Sequence, residues 1–247
     1  MTSISICNHK GGSGKTTSAI NIAAEMGARW GRVLLIDMDP QGAATVSTGV
    51  FTEKYSMANV MLGDIDISEI IQHADKWHMD IAPSSIDLAT VEQVLSTKKR
   101  KEYVLRDVIR SIARKYDYII IDSSPMIGIL TINAIVASNI ILVPVQCEFY
   151  ALHGFAQMMR IIKMASDVTG VNPEVRIFVT MATRTNLCRD VVTMLRERYG
   201  SMVMQTIIPR SIRLAESPAL GIPIFDHDPE SPGAIAYKRM VNELWEE

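Results

Sequence analysis

The first thirty residues combine a short apolar run, a glycine-rich loop and a segment with helical spacing. The apolar run Ser3–Cys7 predicts a buried strand, and Thr16–Arg29 predicts the helix that follows it. The loop between them reads HKGGSGKTT over residues 9–17. Glycines let successive backbone N–H groups converge on one anion, and a helix N-terminus adds donors and a dipole. Strand, loop and helix in this order therefore predict a phosphate-binding site in an α/β fold.

The two lysines of this loop have different expected roles. The common pattern G-x-x-x-x-G-K-[ST] is not met, because His9 occupies the position of its first glycine and Lys10 follows. Lys15 is expected to reach the β- and γ-phosphates of a nucleotide, and the Thr16 hydroxyl to ligate Mg²⁺. The nucleotide-binding residues expected in this loop are Lys10, Gly11, Gly12, Ser13, Gly14, Lys15, Thr16 and Thr17.

Two apolar runs further along the chain end in carboxylates. The segment VLLIDMDPQG at Val33–Gly42 carries Asp37 and Asp39, and YDYIIIDSSP at Tyr116–Pro125 carries Asp122. A carboxylate at the end of a core strand is poorly solvated and needs a partner, which Mg²⁺ beside a triphosphate would supply. Each acid alone could equally be a helix N-cap. Together with the phosphate loop, these acids favour ATP hydrolysis.

Strands alternate with helices along the whole chain, which predicts a mostly parallel sheet covered on both faces. The predicted strands are Ser3–Cys7, Val33–Ile36, Tyr118–Ile121, Ile140–Val143, Val175–Thr180 and Val203–Ile208. The predicted helices are Thr16–Arg29, Tyr103–Lys115, Leu152–Val168, Leu187–Tyr199 and Ala234–Trp245. Residues 51–101 are less regular, with helical pieces at Met57–Leu62, Ser68–Ala74 and Ile86–Leu95 and a strand at Met79–Ala82. No linker divides the chain, so we expect a single doubly wound α/β domain over residues 1–247.

Composition narrows the class of protein. With 25 Lys and Arg against 27 Asp and Glu, the formal charge of −2 excludes a surface that is basic throughout, although not a local basic patch. Cys7, Cys147 and Cys188 lack CxxC spacing, which argues against a disulfide framework and a zinc site and suits a reducing cytoplasm. The uncharged stretch Ser123–Cys147 is long enough to span a bilayer. Prolines and asparagines interrupt it, so we interpret it as a helix followed by a buried strand.

These motifs resemble the ParA/MinD group of deviant Walker ATPases, and most of all the short ParA proteins without an amino-terminal DNA-reading domain. The resemblance covers nearly the whole chain. Beyond the motifs above, it includes LTINAIVAS at Leu130–Ser138, PVQCEFYALHG at Pro144–Gly154, TRTNL at Thr183–Leu187, IIPRSIRLAESPALGIPI at Ile207–Ile224 and AYKRMVNEL near the end. The resemblance implies a deviant P-loop fold, with ATP and Mg²⁺ as cofactors.

The resemblance also implies an ATP-dependent switch that forms a sandwich homodimer. Lys10 matches the lysine that crosses to the partner's phosphates and acts in catalysis, and Gly11 matches the glycine that lets the subunits approach. Asp39 matches the catalytic carboxylate that orients the attacking water. Asp37 and Asp122 match the acids that support Mg²⁺ through water.

A second set of family positions lies in the last third of the chain. Pro209 and Ser211 fall where the family places its adenine contacts, and Ser211 stands where asparagine is common. Arg184, Arg189 and Arg213 lie beside segments that resemble the family's DNA-contacting surface. We expect these three arginines to bind DNA without sequence preference, whereas we interpret Arg196 and Arg198, either side of Glu197, as solvated helix charges.

The function implied is the partitioning of a plasmid or chromosome with a ParB-like centromere-binding protein. The ATPase would be weak and partner-stimulated, in the cytoplasm and on the nucleoid. Two alternatives stay open: a ParA-like positioning ATPase for a protein cargo, and a MinD-like membrane-associated switch. The acidic segment Asn242–Glu247 is unsuited to anionic lipid, and we expect no stable membrane insertion.

Overall fold

A computed structural model describes residues 1–52, 54–148 and 151–245, with the side chains of residues 151–153 left aside. Its strands are β1 Thr2–Ile6, β2 Val33–Met38, β3 Gln72–Ala74, β4 Met79–Ala82, β5 Tyr118–Ser123, β6 Ile140–Gln146, β7 Glu174–Ala182 and β8 Val203–Pro209. They form one eight-stranded sheet in the order β3-β4-β2-β5-β1-β6-β7-β8. All neighbours are parallel except β3 and β4. The expected doubly wound α/β fold is confirmed.

Helices cover both faces of this sheet. They are α1 Lys15–Arg29, α2 Ala43–Ser47, α3 Met57–Leu62, α4 Leu88–Ser96, α5 Val104–Ile112, α6 Ile129–Val136, α7 Ala151–Thr169, α8 Asn186–Tyr199, α9 Ile212–Glu216, α10 Ile224–His227 and α11 Pro232–Glu243. Short 3₁₀ turns occupy Ile67–Glu69, Asp75–Trp77, Lys101–Tyr103, Gly200–Met202 and Ser217–Leu220.

The core is divided into two layers by the sheet. In β5, Ile119 and Ile121 belong to the layer that holds α3 to α8, whereas Ile120 belongs to the layer that holds α1 and α11. Successive side chains of a strand point to opposite faces, so a strand covered on both sides is apolar at every position. This is why the central strands appear in the sequence as unbroken apolar runs.

The parallel register brings the acidic strand ends together beside the glycine-rich loop. Ile6, the last residue of β1, is opposite Asp122 of β5, and Asp122 is in turn opposite Asp37 of β2. β1 has β5 on one side and β6 on the other, and the loop after β1 therefore leaves the sheet where the strand order reverses. In doubly wound sheets this edge is where ligands bind.

Two expectations about secondary structure are wrong. The predicted helix Ser68–Ala74 is the 3₁₀ turn Ile67–Glu69 followed by β3, whose residues pair antiparallel with β4. A three-residue edge strand is too short for its periodicity to be read, and pairing with β4 decides its conformation. Pro144 also lies within β6 rather than ending it. Past Leu142, β6 pairs only with β7, and the missing N–H of proline is therefore tolerated.

The cysteines were expected to form no disulfide framework, and the structure corrects this expectation at one pair. Cys147 and Cys188, 41 residues apart in sequence, are joined, and Cys7 is a buried thiol. Sequence spacing alone could not reveal this pair, because β7 and α8 bring the two residues together. The uncharged stretch 123–147 forms the end of β5, α6 and β6. Within the described residues, no helix is both long and apolar enough to cross a membrane.

Candidate nucleotide-binding site

The glycine-rich loop between β1 and α1 is shaped to receive an anion. Gly12 and Gly14 have φ angles of 70° and 87°, in the left-handed region that glycine tolerates best. A Cβ atom built on Gly11 or Gly12 meets nothing within 4 Å, so this side of the loop is open. Gly14 is the N-cap of α1 and supplies no side-chain cap. The first N–H groups of α1 therefore have no side-chain acceptor at the N-cap, as at a helix start that receives an anion.

The two lysines of the loop occupy different environments. Lys15 is only 6% exposed, and its ammonium donates to the backbone oxygen of Lys10 at 3.5 Å. Burial lowers the pKa of Lys15, although the nearby carboxylates of Asp122 and Asp39 oppose this shift. Lys10 lies at the surface, where its ammonium forms an ion pair with the exposed carboxylate of Glu148. Lys15 is thus buried in the fold, whereas Lys10 lies at the surface.

Asp37 is held by a network of hydrogen bonds at the end of β2. Its Oδ2 accepts from the Thr45 backbone N–H at 2.8 Å and from the Thr45 hydroxyl at 2.7 Å. Its Oδ1 accepts from the Asp39 N–H at 3.1 Å. Burial raises the pKa of Asp37 to about 6, even though these donors favour the carboxylate.

Asp122 has no such network. The side chain is fully buried, and neither carboxylate oxygen makes a hydrogen bond of good geometry with the described residues. Burial and the neighbouring Asp37 raise the pKa of Asp122 well above its usual value, against the opposing effects of the Thr16 hydroxyl and Lys15. An unpaired buried carboxylate is costly, and a divalent cation would relieve that cost.

The donor set fits Mg²⁺ better than a metal held by protein alone. Within the described part of the chain, no group of three or more His, Cys, Asp or Glu side chains is placed to hold a metal ion. Mg²⁺ at phosphate sites is usually bound by one or two carboxylates and completes its shell with phosphate oxygens and water. The Thr16 hydroxyl, Asp37 and Asp122 are the side chains that could supply oxygens to such a shell.

Asp39 lies just beyond Asp37 in the chain, at the rim of the site. It is 8% exposed; its Oδ1 accepts from the Gln41 N–H at 3.0 Å. The Ser84 hydroxyl donates to its backbone oxygen at 2.7 Å, which ties the residue to the end of β4. The alternative interpretation of the acids as helix N-caps is wrong, because Gly42 caps α2 and Gly128 caps α6.

A cavity of about 240 Å³ adjoins the loop on its β7–β8 side. It contains both expected adenine contacts, Pro209 and Ser211. Its full lining is Gly14, Thr17, Thr180, Met181, Ile208, Pro209, Arg210, Ser211, Leu214, Ala215 and Tyr237. The size and the mixed lining suit a purine base. Sequence reasoning missed Tyr237, whose hydroxyl hydrogen-bonds to that of Ser18 at 2.9 Å, because nothing near it in sequence marks it.

Met181 is the unusual member of this lining. It has a φ of 51°, in the left-handed region that non-glycine residues rarely adopt. Its sulfur accepts a hydrogen bond from the Gln146 amide at 3.1 Å.

The expected DNA-contacting arginines separate into two places. Arg184 and Arg189 line an open groove of about 650 Å³ beside α8, which Arg196 also lines. Arg196, interpreted from the sequence as a solvated charge, therefore belongs to the same basic surface. Arg213 lies outside this groove, where it forms ion pairs with Glu216 at 2.9 Å and Asp228 at 3.5 Å. We call the surface of Arg184, Arg189 and Arg196 the basic groove.

The chain is similar over most of its length to proteins of known family. A family model described as "AAA domain" matches residues 1–177. The chromosome partitioning protein ParA of Myxococcus xanthus is 38% identical over 247 residues, covering 98% of this chain and 87% of that protein. The sporulation initiation inhibitor protein Soj of Bacillus subtilis is 36% identical over 245 residues, covering 98% of this chain and 97% of that protein.

Solved structures give the same result for the fold. Cobyrinic acid a,c-diamide synthase from Mycobacterium smegmatis, with bound ATP analogue and magnesium, superposes with a TM-score of 0.86. It is 32% identical, and the match covers 99% of this chain and 94% of that one. A putative plasmid partition protein of Borrelia burgdorferi bound to AMPPNP has a TM-score of 0.85 at 22% identity, with 98% of both chains covered.

Proposed function

The chain belongs to the family of ParA-like ATPases, and on that premise we propose that it is an ATP-driven switch for DNA partitioning. In this proposal ATP binding produces a homodimer that binds DNA without sequence preference. The dimer moves a plasmid or chromosome together with a ParB-like centromere-binding protein, in the cytoplasm and on the nucleoid. The observation that carries the proposal is the separation of the two loop lysines, one buried and one at the surface.

The residues of one subunit bind and orient the nucleotide. The N–H groups of the glycine-rich loop and of the first turn of α1 hold the phosphates, and Lys15 contacts them from within the same subunit. The Thr16 hydroxyl, Asp37 and Asp122 would hold Mg²⁺, directly or through water. Mg²⁺, when bound, neutralises charge that develops on the phosphate oxygens during transfer.

Hydrolysis needs two further groups. Asp39 lies at the rim of the site and is held there through its backbone by Ser84. From this position we propose that it orients the attacking water. Lys10 supplies the second group: at the surface, its ammonium can reach the phosphates of a partner subunit and stabilise transition-state charge there. Turnover in a lone subunit is then slow, and partner protein and DNA raise it.

The basic groove supports DNA binding. Arg184, Arg189 and Arg196 are exposed and share one surface, although the whole chain is slightly acidic. Contacts between arginine side chains and phosphate oxygens carry no information about base sequence. A dimer presents this groove twice, which doubles the number of phosphate contacts and steepens the salt dependence of binding. Arg213 contributes less in this scheme, because Glu216 and Asp228 already neutralise it.

The positioning of a protein cargo is the second candidate function, because the same ATPase site would serve it and the difference lies in the partner. The MinD-like alternative is less well supported. The buried face of α11, with Tyr237, Met240 and Val241, packs against β8 and α1 and is not available to a membrane. Trp245 continues this packing against Trp30 and Tyr118.

Light scattering and DNA binding test the proposal together. With a non-hydrolysable ATP analogue and Mg²⁺, the chain should become a dimer and bind unrelated DNA duplexes with equal affinity, and the affinity should fall steeply as salt increases. With ADP it should stay monomeric and bind DNA weakly. A dimer of equal strength with both nucleotides would overturn the switch. Dimerisation with ATP but no DNA binding in either state would favour the protein-cargo alternative.

A further inference from the structure

Two cysteines meet where β6 ends and α8 begins. Cys147 directly follows β6, and Cys188 lies in the first turn of α8. Their Cα atoms are 4.8 Å apart, within the range of about 4.4–6.8 Å found in disulfides. The residues can therefore be linked without a large movement of the backbone, and the structure joins them.

Both sequence neighbours of Cys147 contact the phosphate loop. The Gln146 side-chain amide donates to the Gly12 backbone oxygen at 2.6 Å. The Glu148 carboxylate forms the ion pair with Lys10. Cys147 is the single residue between these two contacts, so its backbone joins them.

Cys188 belongs to a different surface. It lines the basic groove together with Arg184 and Arg189, and its backbone N–H donates to the Thr185 hydroxyl that caps α8. Positive charge and a helix N-terminus stabilise a thiolate, which is the reactive form of cysteine. Cys188 is 5% exposed at the wall of this groove, and Cys147 beside it is half-buried. Cys7 offers a contrast, since it is fully buried and burial raises its pKa to about 11.

We propose that Cys147 and Cys188 are a reversible redox site that couples the phosphate loop to the basic groove. The oxidant is a small-molecule disulfide such as oxidised glutathione. One cysteine thiolate attacks a sulfur of this reagent and releases a thiolate, and the second cysteine thiolate then attacks the mixed disulfide and releases another. In total two protein thiols lose two electrons and two protons, and the reagent is reduced to two thiols.

The consequence for the nucleotide switch rests on the proposed function. In the oxidised chain, α8 fixes Cys147, so Gln146 and Glu148 stay on the phosphate loop and Lys10 stays in its own subunit. An exposed ion pair alone is weak, which is why the covalent link matters. Reduction releases this constraint, and Lys10 is then able to cross to a partner. The oxidised chain should form the ATP-dependent dimer less readily.

The first test measures the chemistry in the full chain without nucleotide. After incubation with oxidised glutathione, alkylation and mass spectrometry should find an intramolecular Cys147–Cys188 disulfide, with Cys7 alkylated only after unfolding. Reduced glutathione should reverse the reaction. Cys188→Ser should give no intramolecular disulfide. A wild-type chain that keeps both thiols in this reagent would overturn the proposal.

The second test measures the coupling. Hydrogen–deuterium exchange of residues 9–17 should be slower in the oxidised chain than in the reduced one, and equal in Cys188→Ser under both conditions. With a non-hydrolysable ATP analogue, the oxidised chain should dimerise about fivefold less tightly or worse. Equal exchange in both redox states would overturn the coupling whatever the dimer does. Failure of the reduced chain to dimerise would instead count against the proposed function.

Discussion

The hydroxyl of Thr45 donates to Oδ2 of Asp37 at 2.7 Å, and the Thr45 hydroxyl oxygen accepts the Ser84 N–H at 3.0 Å. This single side chain therefore connects a carboxylate at the end of β2 with the segment that follows β4. Thr45 is buried, and so are both of its partners. It lies outside every motif of the phosphate loop, and it positions an acid expected to support Mg²⁺.

Thr45→Val should destabilise the chain by about 1–3 kcal/mol, because the Ser84 N–H loses its acceptor and Asp37 loses a donor. The pKa of Asp37, already raised by burial, should rise further. ATP turnover should consequently require more Mg²⁺. Thr45→Ser keeps the hydroxyl and is the matched control. Thermal unfolding and a Mg²⁺ titration of turnover measure both effects, and a valine variant with unchanged Mg²⁺ dependence would exclude the positioning role.

Asp122→Asn should raise the melting temperature of the nucleotide-free chain while it weakens Mg²⁺-dependent nucleotide binding. The pKa of Asp122 is raised in the folded chain, so the folded state binds its proton more tightly than the unfolded state. The contribution of the Asp122 carboxyl to the free energy of unfolding is therefore present at low pH. It is lost as the pH rises through the folded-state pKa. At pH 8 the asparagine variant should be more stable by about 1 kcal/mol.

Calorimetry at pH 5 and pH 8 checks the sign of this effect. The stabilisation should be larger at pH 8 than at pH 5, because a higher pH favours the charged form of the buried wild-type carboxyl. Asp64→Asn, at an exposed carboxyl, is the control and should leave the melting temperature unchanged at both pH values. A destabilised Asp122→Asn at pH 8 would mean that the carboxylate has a partner in the nucleotide-free chain.

Asp39→Ala should bind ATP normally and hydrolyse it about 10²- to 10⁴-fold more slowly. The variant removes the group proposed to orient water and leaves the phosphate loop intact. Binding of a fluorescent ATP analogue and single-turnover hydrolysis separate the two properties. Asp75→Ala, at an exposed carboxyl outside the phosphate loop, is the control. Hydrolysis at the wild-type rate would assign the water to another residue.

Lys10→Ala and Lys15→Ala should fail in different ways. Lys10→Ala should weaken ATP-dependent dimerisation roughly tenfold or more, because the Lys10 ammonium is proposed to act across the interface. The same variant should keep its nucleotide affinity. Lys15→Ala should reduce nucleotide affinity about 10- to 100-fold, because it removes a charge-assisted hydrogen bond within the subunit. Isothermal titration and light scattering distinguish them. Equal reduction of nucleotide affinity in both variants would contradict the division of roles.

Arg189→Glu should weaken binding to DNA duplexes of unrelated sequence by the same factor. The slope of log affinity against log salt concentration should fall by about one for each phosphate that is no longer neutralised. Arg213→Glu should have a smaller effect, because Arg213 is already paired with Glu216 and Asp228. Both variants should keep ATP-dependent dimerisation. Fluorescence anisotropy over a range of salt concentrations measures the slopes. A larger effect from Arg213→Glu would move the DNA surface from the basic groove to α9.

The sequence alone predicts those parts of the site whose residues are neighbours along the chain. The phosphate loop is one continuous segment, and its glycines and lysines are recognisable without any tertiary contact. Asp37 and Asp122 could be placed together because parallel strands end at the same edge, and the observed register puts them side by side. The cavity of about 240 Å³ beside the loop was only partly predictable, because Met181 and Tyr237 line it from β7 and α11.

The fold class, the phosphate loop and the acidic strand ends all follow from the amino-acid sequence. They depend on apolar runs, glycines and carboxylates whose physical effects act over a few residues or follow from strand direction. The Cys147–Cys188 link, the Lys10–Glu148 ion pair and the place of Arg196 in the basic groove emerge only when the chain is folded. The link and the ion pair join side chains from different elements, and their distances are set by how the elements pack on the sheet rather than by spacing along the chain. Arg196 shares α8 with Arg189, and only the fold shows that this helix lines a groove together with Arg184.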